Sequence, residues 1–479
     1  MVFSSLTFVC VFLPVVFLLY TVLPGLRVKN ILLILASLVF YAYGEPVYVL
    51  LMIGSATANY LFARLIAAGK TPRVKKAMLI AAVILNLGVL GVFKYTGFLI
   101  GSVNGLFRLS IPIPEITLPI GISFFTFQAL SYVIDVYWER VAVEKNYLRV
   151  LLYISFFPQL IAGPIVKYHD IATALQDRSS SAAEIAQGLR RFLFGLAKKV
   201  LIANVMGQTA DAVFSMEKGE LNAAIAWLGA VSYMLQIYYD FSGYSDMAIG
   251  LGHMFGFTFK ENFLYPYTAN NIQDFWRRWH VSMSTWFKEY LYIPLGGNRK
   301  GKVRTSVNKI IVFLCTGLWH GANWTFVLWG AYHGFFLLLE NYVPVLKKLP
   351  KAIGKIYALL VVCIGFVLFR AESISQFGTM FAKMFGGFSF TAESNALLLR
   401  QLTPWFLFIL AVAVIGAGPL QKLRTALFNA QTEDGAAAEK TNVRRIAVVV
   451  SYIAAVVLLV WCVIRLSSQS YNPFIYFRF

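Results

Sequence analysis

Residues 310–339 read "IIVFLCTGLWHGANWTFVLWGAYHGFFLLL", and this run decides the fold. It contains no Asp, Glu, Lys or Arg. About 20 apolar residues suffice for a helix to cross roughly 30 Å of hydrocarbon, so the run is long enough to lie in lipid. His320 stands ten positions beyond Ile310. At about 1.5 Å per residue that is ~15 Å in, close to mid-bilayer if the run is helical.

The rest of the chain agrees. Of 479 residues, 59% are hydrophobic, 16% aromatic and only 13% charged. Soluble domains carry closer to a quarter charged residues. Apolar runs recur near 4–23, 30–44, 46–68, 77–97, 117–137, 147–166, 190–214, 222–250, 309–340, 355–370, 402–420 and 445–466. We read the chain as an all-α, polytopic integral membrane protein with about eleven true crossings, some runs being short, broken or re-entrant.

The net charge of +20 does not point to nucleic acid. The cations sit in short loops beside apolar runs: Arg27 and Lys29; Lys70, Arg73, Lys75 and Lys76; Lys347, Lys348, Lys351 and Lys355. Such loops face the cytoplasm, and their alternation with the uncharged-to-acidic Gly44–Pro46 turn puts the N-terminus outside. Residues 1–23 lack a basic leader and a cleavage site, so they read as a retained first helix rather than a signal peptide. The four cysteines (Cys10, Cys315, Cys363, Cys462) are scattered, with neither zinc-site nor disulfide spacing, so no metal is expected. The polar stretch 421–445 reads as an exposed loop.

Residues 261–309 are polar, basic and aromatic at once. Within them, "FWRRWH" (275–280) opens a segment whose Phe275, Trp276, Trp279, Met283, Trp286, Phe287 and Tyr290 fall within an arc of about 120° on a helical wheel. Arg277, Arg278, Ser282, Thr285, Lys288 and Glu289 lie outside that arc. This predicts one amphipathic helix over 275–290, at the membrane interface or lining a funnel, with His280 about 20° past the apolar edge.

An ionisable group as deep as His320 is by default a functional hypothesis. The bland alternative is a neutral histidine bonded to a nearby carbonyl. Gly317 and Gly321 flank it and permit close approach of a substrate or a second helix. Asn323 is about one turn on, placed to orient the ring or polarise a carbonyl. A neutral imidazole there suits a general base for a hydroxyl attacking an activated acyl group. His333, thirteen residues on, falls on another face and reads as structural.

Three other clusters are open to two readings. In "YYDFSGYSDMAIG" (238–250), Tyr239, Asp240, Ser242 and Asp246 either line a substrate path or staple the bundle, the aspartates pairing with Arg277, Arg278 or local hydroxyls. "FFPQLIAGPIVKY" (156–168) has the prolines and glycine of a broken helix. Arg299, Lys300, Lys302 and Arg304, after "IPLGGN", are either topology charges or contacts for a donor's phosphates. No Gly-x-Ser-x-Gly, His-Glu-x-x-His or phosphate-binding loop supplies a competing chemistry.

At this point the sequence resembles a known family. "FWRRWHVSMSTWFKEYLYIPLGGNR" (275–299) with "GLWHGANWTFVLWGAYHG" (317–334) is similar to the signature of the membrane-bound O-acyltransferases. More narrowly it resembles the bacterial branch of alginate O-acetylation and teichoic acid D-alanyl transfer. Residues 123–138, 156–166, 238–257 and the terminal "YFRF" extend the likeness along nearly the whole chain.

The resemblance implies a helical bundle around a central tunnel, as one membrane-embedded domain over 1–479. Helices of 1–115 and 346–479 would flank a catalytic core at 116–345. It implies that His320 is the in-membrane histidine and His280 the second family position; Trp319, Trp276, Asn323, Asp240, Tyr239 and Ser242 are our candidates for lining the substrate path or tunnel. It further implies acetyl-coenzyme A as donor substrate with no bound cofactor, and a bacterial cytoplasmic membrane. The expected partners are an SGNH-type extracytoplasmic acetyltransferase and a cell-surface polysaccharide, with D-alanyl transfer from a carrier as the alternative. A transporter or flippase would also explain intramembrane His and Asp residues, though no paired repeat halves are visible.

Overall fold

The computed structural model describes residues 1–418, 420, 437–468 and 471–475, and among these every regular element is helical. Four helices form the N-terminal flank: α1 (Leu13–Val22), α2 (Leu26–Ala42), α3 (Tyr48–Ala68) and α4 (Pro72–Phe107). A π-helical turn, Phe8–Phe12, precedes α1, and Phe3, Phe8 and Phe12 pack against Phe40 and Phe157. Next come α5 (Ile122–Tyr137), α6 (Tyr147–Ser155), α7 (Phe157–Leu160), α8 (Tyr168–Gln176), α9 (Ala182–Ala197), α10 (Asn204–Phe214) and α11 (Ala223–Met254). The break read in 156–168 is real: α6 stops at Phe156, α7 lasts one turn, and 161–167 is irregular.

At the centre α11 packs on α9 through glycines. A Cβ at Gly188 or Gly195 would stand 2.6 Å from the carbonyl oxygen of Gly250 or Gly243, and the reverse additions would meet 2.5 and 2.8 Å. Only glycine lets these backbones approach so closely, the device membrane helices use in place of a hydrophobic driving force.

The region predicted as one amphipathic helix is divided. Helix α12 (Ile272–Arg278) ends at Trp279, and α13 (Val281–Phe287) begins after His280, whose backbone is left-handed at φ 45°. A π-turn, Lys288–Tyr292, follows. The wheel therefore fails across 279–280. The aromatic face is buried within protein rather than spread at an interface: Phe275, Trp276, Trp279, Met283, Trp286, Phe287 and Tyr290 all lie in the core.

The run 310–339 is likewise two helices, α14 (Gly301–His320) and α15 (Trp324–Tyr342), with the chain extended at Gly321 and Asn323. Helix α14 ends at His320 itself. The close approach afforded by its glycines is to the second helix. A Cβ at Gly317 would stand 2.2 Å from Phe326 O, one at Gly330 2.3 Å from Phe313 O, and one at Gly321 2.1 Å from the Phe326 ring.

Helices α16 (Lys351–Arg370), α17 (Ile374–Gly386), α18 (Ala392–Gln401), α19 (Pro404–Ala417) and α20 (Ala437–Ser468) complete the described chain. Of the loop expected at 421–445, residues 421–436 lie outside the described residues, and 437–445 belong to α20. The terminal 476–479 also lie outside them.

Among the described residues four helices are long and apolar enough to cross a membrane: α3, α4, α16 and α20 over Arg445–Ser468. The pair α18–α19, bent by 65°, makes a fifth if counted as one span. The expectation of about eleven crossings is thus not reached by length and apolarity. Helix α11 explains part of the gap. It is long, but carries Gln236, Asp240, Ser242, Ser245 and Asp246 along a body buried almost throughout by its neighbours. Helix α4, by contrast, has only 17% of its most apolar window buried, the rest facing outward.

Candidate active site

The ring of Trp319 stands 5.0 Å from that of His320 and 6.0 Å from that of His280. The two sequence-predicted histidines therefore meet on one indole. Both are buried: His280 is 0% exposed and His320 5%. His280, expected at an apolar boundary, is in the core.

Asn262 fixes His280. Its backbone carbonyl accepts from Val281 N at 3.0 Å. Its Oδ1 accepts from Ser282 N at 3.2 Å and Ser282 Oγ at 2.9 Å, and lies 3.2 Å from His280 Nδ1. Asn262 Nδ2 donates to Ser245 Oγ at 3.0 Å, so the amide orientation is set. His280 Nδ1 then carries the proton and donates, leaving the lone pair on Nε2, which has no hydrogen-bond partner among the described residues. A non-glycine residue at φ 45° is strained, and such strain persists where its surroundings over-determine it. These bonds, with Phe241 edge-on to the imidazole at 4.6 Å, do so here.

His320 is held differently. Neither ring nitrogen has a hydrogen-bond partner among the described residues. Its ring lies edge-to-face with Trp319, Trp329 and Phe369 at 5.0, 5.2 and 5.1 Å. The backbone beneath it is anchored by α4. Tyr95 Oη donates to Leu318 O at 2.7 Å, and Lys94 Nζ to Trp319 O at 2.6 Å and His320 O at 3.2 Å. These carbonyls belong to the last turn of α14, where a helix leaves its acceptors unsatisfied. Reading the sequence missed Lys94, although a lysine inside the apolar run 77–97 is itself an available signal.

His320, Trp319 and Lys94 face one cavity of about 240 Å³, walled otherwise by Leu118–Phe124 and Ile161. Gly121 helps shape it: its φ is +77°, and a Cβ would stand 2.8 Å from Leu160 O. A second cavity, also about 240 Å³, shares Ile120 and Ile161 and reaches Met1 and Glu45. On its other flank His320 touches a space of about 10 Å³ with Trp279, Trp329, Phe366, Phe369 and Ile475. His280 lines neither. The spaces near its partners Ser282 and Asn262 are separate pockets of about 40 and 30 Å³. The structure thus unites the histidines on Trp319, with His320 lining the cavity and His280 outside it.

The other predicted residues sort by geometry. Asn323 does not orient His320: its Oδ1 caps α15 by accepting from Thr325 N, and its Nδ2 donates to Glu372 O. Trp276 serves His333 instead, donating from Nε1 to His333 Nδ1 at 3.4 Å. Asp240 and Asp246 do not pair with Arg277 or Arg278. Asp240 meets Lys199 at 2.8 Å and accepts from Ile475 N, while Asp246 meets Arg191 and Lys198 at 2.8 and 2.6 Å. Arg278 pairs with Asp274, and Arg277 is exposed.

Tyr239 donates to Ala413 O at 2.7 Å, a bundle contact. Ser242 is buried beside Asp246 and Asn262 in the 30 Å³ pocket. Arg299, Lys300, Lys302 and Arg304 are all exposed at the start of α14. No cluster of three or more potential metal ligands occurs among the described residues.

A buried imidazole with both nitrogens unengaged, in the wall of a cavity and beside a lysine, has the chemistry of a general base. Comparison with known proteins agrees with acyl-transfer chemistry. Residues 140–375, which contain both histidines, match the model of the membrane-bound O-acyltransferase family. The chain is 39% identical to a probable alginate O-acetylase of Azotobacter vinelandii, over 100% of both chains. It is 39% identical to a peptidoglycan O-acetyltransferase of Helicobacter pylori over 78% of each. It is 27% identical to a teichoic acid D-alanyltransferase of Bacillus subtilis, over 58% of this chain and 78% of that one. An acyltransferase by its relatives and an integral membrane protein by its kind, the chain belongs to the membrane-bound O-acyltransferase family.

Proposed function

We propose that the chain moves an acetyl group from cytoplasmic acetyl-coenzyme A to an acceptor hydroxyl, for O-acetylation of a cell-surface polysaccharide. The observation that carries this reading is His320: deeply buried, with neither ring nitrogen engaged, and facing a cavity. His320 takes the hydroxyl proton as the oxygen attacks the thioester carbonyl. The C–O bond forms, the C–S bond breaks, and the imidazolium returns the proton to the departing thiolate. His280, its tautomer fixed by Asn262, acts through Trp319, the indole that packs against both imidazoles and joins His320 in the cavity wall. The exposed cations Arg299, Lys300, Lys302 and Arg304 receive the donor's phosphates.

In this reading the chain is a multi-pass protein of a bacterial cytoplasmic membrane with its N-terminus outside. The cavity at His320 adjoins the one at Met1, which favours an acceptor arriving from outside. An SGNH-type acetyltransferase receives the acyl group there. Acetyl is preferred over D-alanyl because the O-acetylating relatives are more similar and cover more of the chain.

Membranes containing the chain and its polymer, incubated with labelled acetyl-coenzyme A, test the reading. Label in the polysaccharide, lost with His320→Ala at normal expression, is the expected result. Transfer from a D-alanyl carrier but not from acetyl-coenzyme A would replace the donor. Loss of flux of an intact substrate, without acyl transfer, would indicate a transporter.

A further inference from the structure

Most histidine bases are oriented by a hydrogen bond from their second ring nitrogen to a carboxylate or carbonyl. His320 has no such bond among the described residues, so its orientation comes from its aromatic walls and from the backbone that carries it. That backbone ends a helix, and the chain turns extended one residue later at Gly321. An end of this kind frays unless its carbonyls are held.

Lys94 holds them from another helix. An ammonium has three donors, and three acceptors stand around Nζ: Trp319 O at 2.6 Å, His320 O at 3.2 Å and Ser123 Oγ at 3.3 Å. Two of these are the negative end of α14, where a cation is favourable. Among the described residues no carboxylate pairs with Lys94, and none lines the cavity it shares with His320. Lys94 Nζ is therefore satisfied in hydrogen bonds, all of them to the end of α14 and to Ser123, in a wall made mostly of apolar side chains.

We propose that Lys94 is the positioning residue of the His320 base: from α4 it pins the end of α14 that carries His320, beside the cavity that both residues line. A base held at the end of a pinned helix keeps its lone pair aimed as the hydroxyl attacks, whereas a frayed end lets it wander. The inference rests on the acyl-transfer reading above.

The test uses the full-length chain in native membranes with labelled acetyl-coenzyme A, comparing wild type, Lys94→Met, Lys94→Arg, Lys94→Ala and His320→Ala. Lys94→Met should lower kcat about 100-fold while leaving KM for the donor within about threefold, since a misplaced base costs rate and not donor binding. Lys94→Arg should recover most of the loss. Lys94→Ala should be rescued at least fivefold by millimolar n-butylammonium, which can refill the vacated space beside the cavity; a residue that merely supports folding gives neither rescue.

If His320→Ala abolishes transfer while Lys94→Met keeps wild-type kcat, the role of Lys94 is overturned and the acyl-transfer reading stands. Equal losses in the Met, Arg and amine-treated Ala variants also overturn it. If His320→Ala retains transfer, or the wild type transfers nothing, the reading beneath it falls as well.

Discussion

The indole of Trp319 stands 6.0 Å from the imidazole of His280 at an interplanar angle of 63°. The same indole stands 5.0 Å from His320, so one side chain spaces the two histidines. Phe124 and Phe127 back it at 5.3 and 5.6 Å. Its separation of the histidines is therefore a packed feature of the core. Trp319→Phe keeps an aromatic spacer and should retain acyl transfer within about tenfold. Trp319→Ala lets both rings move and should lose about 100-fold, because a misplacement near 1 Å has that effect on oriented reactions. Transfer of label from acetyl-coenzyme A measures both, and equal rates in the two variants would remove Trp319 from the site.

His280 and His320 should not respond alike to substitution. Removing a general base lowers rate by about 10²–10⁴-fold, and His320→Ala should fall in that range. His280 also holds a left-handed backbone, which Asn tolerates better than most residues. Both His280→Asn and His280→Ala lose Nε2, but Asn keeps a polar group at the Nδ1 position and tolerates the left-handed backbone, so His280→Asn should keep the fold and a larger share of activity than His280→Ala. Thermal unfolding in detergent beside the transfer assay separates the two effects; an Ala variant as stable and as active as Asn would contradict it.

The burial of His320 was legible in the sequence because an ionisable group in an uncharged run is a local signal. Its position at a helix end was not, since the break at Gly321 depends on Phe326 folding back over it. The helical wheel failed at His280 for a similar reason. Asn262, in the preceding segment, bonds the backbone of 281 and 282 and diverts the chain into the left-handed region. Nothing in the local periodicity encodes that contact. Asn323 shows the opposite error: its spacing from His320 suggested catalysis, whereas its side chain satisfies the first turn of α15. For Asp240 and Asp246 the sequence left a staple and a substrate path equally open, and it did not reveal their partners, which come from α9 and the turn after it.

Gly317 and Gly330 join α14 to α15 by backbone contact. A methyl group at either would lie within 2.2–2.3 Å of a carbonyl oxygen of the facing helix, and backbone cannot swing aside as a long side chain can. Gly317→Ala and Gly330→Ala should each destabilise the protein by about 1–3 kcal/mol, the usual range for overpacking. Gly88→Ala, in open space on α4, is the control and should leave stability unchanged or slightly raised through helix propensity. Since α14 ends at His320, the two core variants should also lose transfer activity out of proportion to their remaining folded fraction.

Asp240 and Lys199 form a buried ion pair that clasps the segment 471–475. Their side chains are 1% and 3% exposed. Asp240 also accepts from Ile475 N, Lys199 donates to Pro473 O, and Phe474 stacks on Tyr244. Asp240→Asn leaves Lys199 buried without its counter-ion and should destabilise by about 3–5 kcal/mol. Adding Lys199→Met removes the orphaned charge and should restore much of that loss. The double-mutant cycle, read from detergent unfolding, checks the sign of the coupling; additive single effects would mean that the pair is not a unit. Ile475 lies against His320's smaller pocket, so Asp240→Asn should lower acyl transfer even at temperatures where the chain stays folded.

The cations at the start of α14 offer the most direct test of where the donor binds. Arg299, Lys300, Lys302 and Arg304 are exposed, and no ion pair engages them among the described residues. Exposed charges act weakly on stability but strongly on a polyanionic ligand, and their influence falls with salt as the Debye length shortens to about 8 Å at physiological ionic strength. Changing all four to Gln should leave unfolding temperature nearly unmoved and raise KM for acetyl-coenzyme A about tenfold or more, with kcat held within about twofold. The difference from wild type should shrink between 50 and 500 mM salt. A donor truncated to the acetyl-pantetheine arm, which lacks the nucleotide phosphates, should show no such difference. If the truncated donor is equally affected, the cluster acts on topology or folding, and the phosphate contacts lie elsewhere on the chain.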